Sequence, residues 1–372
     1  MPNRVLITGS AGIVGSVIAG HLTQIPDIEQ VILLDINAKR GKVLADALKI
    51  KAAMYSHYPE FVFETCDLFD LDKTTEILNR YSPNLILQAA TVFSYYFYAP
   101  IILRETKKRG IPNQYPAHTI AKDLTLAYQL MKSVKQANIT APVVNVSFPD
   151  HVNNILGKVG LAPTVGAGNI DVFVYMIRQM IADKLNTDIR QIKVFMVAHH
   201  AFEFFPLPSI PFYLRIFHKD NDITEKFNTF QVFKNAVDRV SDPFWEAGVD
   251  LITETTAASA VKNGLAIMND SNIVEYTPGP EGLPGGYPTL LNKDGAKVSL
   301  PGDITLEQAI SINLNHMRLD GVEEVQNDGT VVFTEPTVNL IRDILGLEWP
   351  KMRIDESAEM AMQIKKAYQN LS

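Results

Sequence analysis

Residues 5 to 15 read Val-Leu-Ile-Thr-Gly-Ser-Ala-Gly-Ile-Val-Gly, an apolar run that opens into three glycines spaced three apart. Each glycine has its own geometric task. Gly9 turns the chain sharply off a strand, Gly12 lets an anion approach the backbone, and Gly15 lets the following helix sit tightly on the strand. The amides of Ile13 and Val14 then lie at a helix N-terminus, where the macrodipole favours negative charge. The pattern predicts a dinucleotide-binding turn in which these five residues receive a pyrophosphate.

A glycine triplet alone is a weak signal, so the sequel has to carry it. A second apolar run, Val31-Ile32-Leu33-Leu34, ends in Asp35, twenty residues beyond Gly15. An acid at the end of that strand accepts hydrogen bonds from ribose hydroxyls and repels a 2′-phosphate, which favours NAD over NADP. Lys39 and Arg40 lie close by and soften that preference.

The net charge of −7 and a longest basic run of Lys107-Lys108-Arg109 argue against nucleic acid or an anionic membrane as the main partner and for a small-molecule substrate. No apolar stretch reaches the roughly 18 residues that span a bilayer, and with the first strand expected directly after Met-Pro-Asn-Arg no signal peptide is expected. The single Cys66 excludes an intrachain disulfide and a cysteine-based metal site, which fits a reducing, cytoplasmic setting.

Apolar strands alternate with helical patterns through the first half, at Phe61 to Thr65, Leu85 to Ala90 and Val143 to Ser147, with a helix from Thr119 to Gln136. That alternation predicts a Rossmann-type doubly wound parallel sheet over residues 1–150. A mixed α+β substrate lobe is expected over 151–316, and a C-terminal extension packed on that catalytic lobe over 317–372. The small residues Ala89, Ala90 and Thr91 after the fourth strand, and Ser147 after the fifth, would admit the nicotinamide half of the cofactor. The stretch from Val92 to Pro116 is long and punctuated by Pro100, Pro112 and Pro116, which reads as a lid.

Two nicotinamide-dependent families share this opening. Extended short-chain dehydrogenases and epimerases use a tyrosine and a lysine four residues apart, a spacing that Tyr128 and Lys132 have. Those two precede the fifth strand, so they would face the flank of the sheet instead of its carboxyl edge, where ligands bind. Over about residues 3 to 315 the chain instead resembles the lactate/malate dehydrogenase family. The matching stretches are 8–16, Leu-Leu-Asp-Ile-Asn at 33–37, Val-Ser-Phe-Pro-Asp at 146–150, Gly-Asn-Ile-Asp at 168–171, Val-Ala-His-His-Ala at 197–201 and Thr-Thr-Ala-Ala-Ser at 255–259. The resemblance implies an NAD-dependent enzyme, homodimeric or homotetrameric, that moves hydride between nicotinamide and a secondary alcohol or ketone. It also implies that Asp171 hydrogen-bonds His199, 28 residues on, across a helix from Asn169 to Leu185 and a strand from Ile192 to Val197, while His199 exchanges the hydroxyl proton.

That pairing has a physical logic. A carboxylate on one ring nitrogen fixes the tautomer and favours the imidazolium, so the other nitrogen can protonate a carbonyl oxygen. His200 is a second candidate beside it. The departures from the family pattern matter equally. Phe148 stands where the family has an Asn that orients the carbonyl, and Val174 where it has an Arg that clamps the substrate carboxylate. Losing a bidentate guanidinium removes the strongest carboxylate anchor, so a simple 2-oxoacid is expected to bind poorly. Arg104 or Arg109 from the lid would have to compensate, with Thr256 lining the pocket, and Arg178 is a weaker candidate. No metal site is expected, because His151, His199 and His200 have no ligand spacing by themselves. An epimerase-like enzyme and a non-catalytic NAD sensor remain the alternatives.

Overall fold

A computed structural model describes residues 3–111, 116–168, 170–203, 210–241 and 250–372. Six parallel strands form its main sheet in the order β3-β2-β1-β4-β5-β6. They are β1 (Arg4–Thr8), β2 (Gln30–Asp35), β3 (Glu60–Thr65), β4 (Leu85–Gln88), β5 (Val143–Asn145) and β6 (Val165–Gly166). The strand order reverses between β1 and β4, which opens a crevice at the carboxyl edge where ligands of doubly wound sheets bind. Near-continuous apolar sequence in β1, β2 and β4 is what burial on both faces demands, and their central residues are wholly buried.

The glycine turn is shaped as the sequence predicts. Gly9 has φ +67°, and a Cβ there would stand 2.7 Å from the backbone of Ala90. A Cβ on Gly15 would meet the Gly9 carbonyl oxygen at 2.2 Å, so only glycine lets α1 (Ile13–Leu22) seat on β1. Helices α2 (Ala38–Met54) and α3 (Leu71–Tyr81) follow β2 and β3.

The stretch expected to be a lid contains a fifteen-residue helix, α4 (Tyr95–Arg109), capped by Ser94 at its start and by Gly110 at φ +65° at its end. Its Pro100 sits within the helix, and residues 112–115 of the same stretch lie outside the described residues. The helix is fixed from the far end of the chain. Arg104 donates to the carbonyl of Leu371, and Arg109 to that of Asp343.

After α5 (Ile120–Gln136) and β5, the chain enters α6 (Pro149–Lys158) through Phe148, whose φ of +47° turns it sharply off the sheet. The second half adds α7 (Ile170–Leu185), the antiparallel trio β7 (Ile192–Val197), β8 (Tyr213–His218) and β9 (Asn221–Asp222), then α8 (Thr229–Ser241) and α9 (Leu251–Met268). The start of α7 expected at Asn169 lies outside the described residues, as does the opening, 244–249, of a helix that the sequence predicts over about Phe244 to Met268 and that is observed as α9. A second antiparallel sheet joins β10 (Ile273–Pro278), β11 (Gly286–Asn292) and β12 (Gly295–Val298). Helix α10 (Leu306–Asp320) leads into β13 (Val322–Val325), β14 (Val331–Phe333), α11 (Glu335–Leu340), β15 (Lys351–Met352) and α12 (Ser357–Leu371).

The C-terminal extension shares a core with Val152, Ile155 and Leu156 of the expected catalytic lobe, and it reaches beyond that lobe to the first half of the chain. Val322, Val331, Phe333, Met352, Met360, Ile364 and Tyr368 join one apolar core with Leu124, Ala127, Leu130 and Ile102, on the helical flank of the six-stranded sheet. The physical reason is the supply of apolar surface: α4 and α5 present more of it than the sheet alone covers, and α12 closes the gap. The Tyr368 hydroxyl meets His118 Nε2 at 2.7 Å inside this core.

The Gly15→Ala variant should lose about 1–3 kcal/mol of stability, because its methyl meets backbone that cannot move aside. Urea unfolding measures this, and an unchanged midpoint would mean that α1 does not sit on the turn as described.

Candidate functional site

At the carboxyl edge, polar side chains tie the strand ends together. Thr8 donates its hydroxyl to Gln88 Oε1, which also accepts the amide of Ala90 at 3.0 Å. Asn145 accepts the amide of Ser147, and the Ser147 hydroxyl donates to the Ala90 carbonyl at 3.3 Å. Ala89, Ala90, Thr91 and Ser147 are therefore neighbours in one shelf beside the glycine turn. Gly12 and Ile13 are exposed, and among the described residues no side chain caps α1 or accepts from the amides of Ile13 and Val14. Asp35 accepts the Ala11 amide at 2.9 Å and the Asn37 amide at 2.8 Å, which holds the acid at the mouth of the turn. An uncapped helix start, glycines that no Cβ could replace and an acid at the next strand end fit a dinucleotide.

The expected pairing of Asp171 with His199 does not form. Asp171 accepts the Ser259 hydroxyl at 2.6 Å and the Lys262 ammonium at 2.8 and 3.1 Å, both from α9. Lys262 also reaches Glu275 at 3.0 Å, which in turn accepts the Tyr175 hydroxyl. Burial opposes the ammonium, yet Asp171 and Glu275 hold its pKa above the ordinary lysine range. A full cation three residues from a hydroxyl on one helical face is a stronger partner for a carboxylate than a neutral imidazole, and it captures Asp171.

His199 instead turns to α10. Its Nδ1 lies 3.1 Å from Asp320 Oδ2, an ion-pair distance, and its buried Nε2 has no hydrogen-bond partner among the described residues. The same oxygen accepts from His151 Nε2 at 2.9 Å and stands 3.5 Å from His200 Nδ1. His151, His199 and Asp320 are all completely buried. Burial would raise the Asp320 pKa, but His200, His151 and His199 outweigh it and hold the carboxyl well below the usual range. Burial pushes His151 down against the pull of Asp320, and it pushes His316, whose ring centroid lies 6.4 Å from that of His199, down to about 3.

The other expected residues fall into two groups. Phe148 joins the centre, its ring 4.5 Å from that of His151 and 4.9 Å from that of His200, and roofs the imidazoles with apolar surface. Thr256 sits beside Gly168, where an added Cβ would approach its side chain to 2.9 Å. Val174, by contrast, is buried in the core of the second half among Phe173, Ile177 and Phe233. The expectation that Arg104 and Arg109 face a substrate is corrected, because both bind carbonyls of the C-terminal extension and share Glu105. Arg178 donates to the Ile192 carbonyl at 3.0 Å. Lys132 stacks its ammonium 4.5 Å from the Tyr128 ring on α5, away from the crevice.

Sequence reasoning missed Asp320 as well as the joining of His151 to it. A signal existed: Asn313, His316 and Asp320 recur at i, i+3 and i+7 on α10, a polar stripe that is wholly buried. On its own such a stripe reads as a solvated face.

A scan against protein-family models and a search of curated proteins gave no match. Solved structures do match. Lactate dehydrogenase from Cryptosporidium parvum, complexed with lactic acid and nicotinamide adenine dinucleotide, is 16% identical with a TM-score of 0.61, covering 86% of this chain and 97% of its own. Lactate dehydrogenase from Eimeria maxima with NADH and oxamate is 13% identical with a TM-score of 0.60, covering 86% and 90%. Malate dehydrogenase from Plasmodium falciparum is 15% identical with a TM-score of 0.59, covering all of both chains.

Replacing Lys262 by Met strands two carboxylates in a largely buried site and should cost about 2–3 kcal/mol, less than for a fully buried pair. Adding Asp171→Asn should return part of that loss, and equal stability of wild type and Lys262→Met would refute the capture of Asp171. The chain has the lactate/malate dehydrogenase fold, carrying at its crevice a histidine whose carboxylate partner comes from a different helix than the sequence pattern implies.

Proposed function

We propose that the protein is a nicotinamide-dependent oxidoreductase that interconverts a secondary alcohol and a ketone, with NAD as cofactor and His199 as the proton-exchanging group. The observation that carries this reading is the His199 ring itself: one nitrogen faces the Asp320 carboxylate at 3.1 Å, and the other is buried with no hydrogen-bond partner among the described residues. The fold shared with dehydrogenases, and the fit of the glycine turn and Asp35 to a dinucleotide, support it.

The nicotinamide supplies the hydride acceptor or donor. The chain's own residues do the rest. Asp320 holds His199 with Nδ1 protonated and stabilises the imidazolium that forms when Nε2 takes the hydroxyl proton of the alcohol. In the reverse direction the imidazolium returns that proton to the ketone oxygen as hydride arrives at carbon. Phe148, packed on His151 and His200 beside the relay, offers apolar contact. No guanidinium stands at Val174 or reaches in from α4, so the preferred substrate is an alcohol or ketone larger and more apolar than a simple 2-hydroxy acid.

Turnover of an alcohol and ketone panel, followed by nicotinamide absorbance, tests this. His199→Ala should lower kcat by roughly 10²–10⁴-fold and Asp320→Asn by about 10²-fold or more, both with NADH binding retained. Asp171→Asn should change kcat by less than about tenfold, and a larger loss there than in Asp320→Asn would sink the reassigned relay. Asp35→Ala should weaken NADH binding and narrow the preference over NADPH. Titration of both cofactors checks this, and unchanged affinities for the two would remove Asp35 from the ribose site.

A further inference from the structure

The buried carboxylate of Asp320 needs a positive partner, and among the described residues no lysine or arginine supplies one. The buried ammonium of Lys122 is already engaged, donating to Asp123 at 2.6 Å. The groups around Asp320 are imidazoles: His151 Nε2 at 2.9 Å, His199 Nδ1 at 3.1 Å and His200 Nδ1 at 3.5 Å. Neutral rings leave a fully desolvated anion uncompensated, which is costly. Either one ring carries a proton or a cation sits among them.

We infer that His151, His199 and Asp320 form a binding site for one divalent transition-metal ion of the zinc type. Their three donor atoms lie within 4.8 Å of one another. A tetrahedral ion with bonds of about 2.0–2.1 Å needs donors about 3.4 Å apart, so side-chain shifts of about 1 Å or less close the set. Two imidazoles and a carboxylate are the mixed nitrogen and oxygen donors such ions prefer over calcium or magnesium, and three protein ligands leave a fourth position open. The ligands come from three elements, α6, the segment after β7 and the end of α10, so they are held by the fold and not by one flexible loop. Phe148, packed on His151, gives the ion an apolar wall.

Metal and relay exclude one another, because the His199 Nδ1 lone pair binds either the ion or a proton. This consequence rests on the proposed role of His199, whereas metal binding does not. Bound ion should therefore inhibit turnover.

The test uses the full chain stripped with a chelator and titrated with Co²⁺ alone, read by its visible d–d absorption and by metal content after dialysis. One Co²⁺ per chain in a low-coordinate spectrum is expected, with Zn²⁺ displacing it. His151→Ala, or the milder His151→Asn should the first not fold, should weaken binding by more than about 100-fold. Added Zn²⁺ should lower turnover and a chelator restore it. No bound Co²⁺ at micromolar concentration, or binding unaffected by both His151 variants, overturns the site. Binding accompanied by a rise in turnover keeps the site but overturns His199 as proton carrier, and turnover without any binding does the reverse.

Discussion

A carboxylate with no access to water organises the centre of this protein. Asp320 closes the last turn of α10, and two imidazoles from distant parts of the chain, His151 and His199, converge on one of its oxygens while His200 stands 0.4 Å beyond the farther of them (3.5 against 3.1 Å). Burial makes any unpaired charge expensive, so the elements carrying these groups must dock together before the site exists. Helices α6 and α10 and the turn after β7 are thereby tied to one point, at the edge of the sheet where the glycine turn lies.

The competing carboxylate explains why the site is built this way. Asp171 stands where the resemblance puts the histidine's partner, but Lys262 and Ser259 on α9 claim both its oxygens. Once that ion pair forms, Asp171 is a strut between α7 and α9. In the proposed reading, the role of orienting His199 then falls to Asp320, beyond the stretch over which the sequence resembles the lactate/malate dehydrogenase family. The C-terminal extension thus does two things. It carries Asp320 at the end of α10, and through α12 and the carbonyls of Asp343 and Leu371 it pins α4, the helix that replaces an irregular lid.

Much of the architecture was legible because its causes are local. Strand, glycine turn, helix, strand and acid are written consecutively from Val5 to Asp35, and Gly9 and Gly15 stand against backbone that no side chain could share. The strand expected over Ile192 to Val197 and the helix expected over Thr119 to Gln136 rest on local pattern and differ from the observed elements by at most a residue. Two things were not legible. The lid was misread because Pro100 and the aromatic cluster look like loop signals, whereas Ser94 and Gly110 cap a helix around them. The partner of His199 was misread because a 28-residue spacing fixes which elements are adjacent but not which of two carboxylates arrives there. That choice depended on Lys262, 91 residues further along.

The most direct measurement of the central pairing is the tautomer and environment of His199, read by ¹⁵N NMR of histidine-labelled, metal-free protein at neutral pH. Nδ1 protonated and Nε2 unprotonated in the wild type, with both shifts moving in Asp320→Asn and neither in Asp171→Asn, is the predicted result. Shifts that answer to Asp171 and ignore Asp320 would contradict the account.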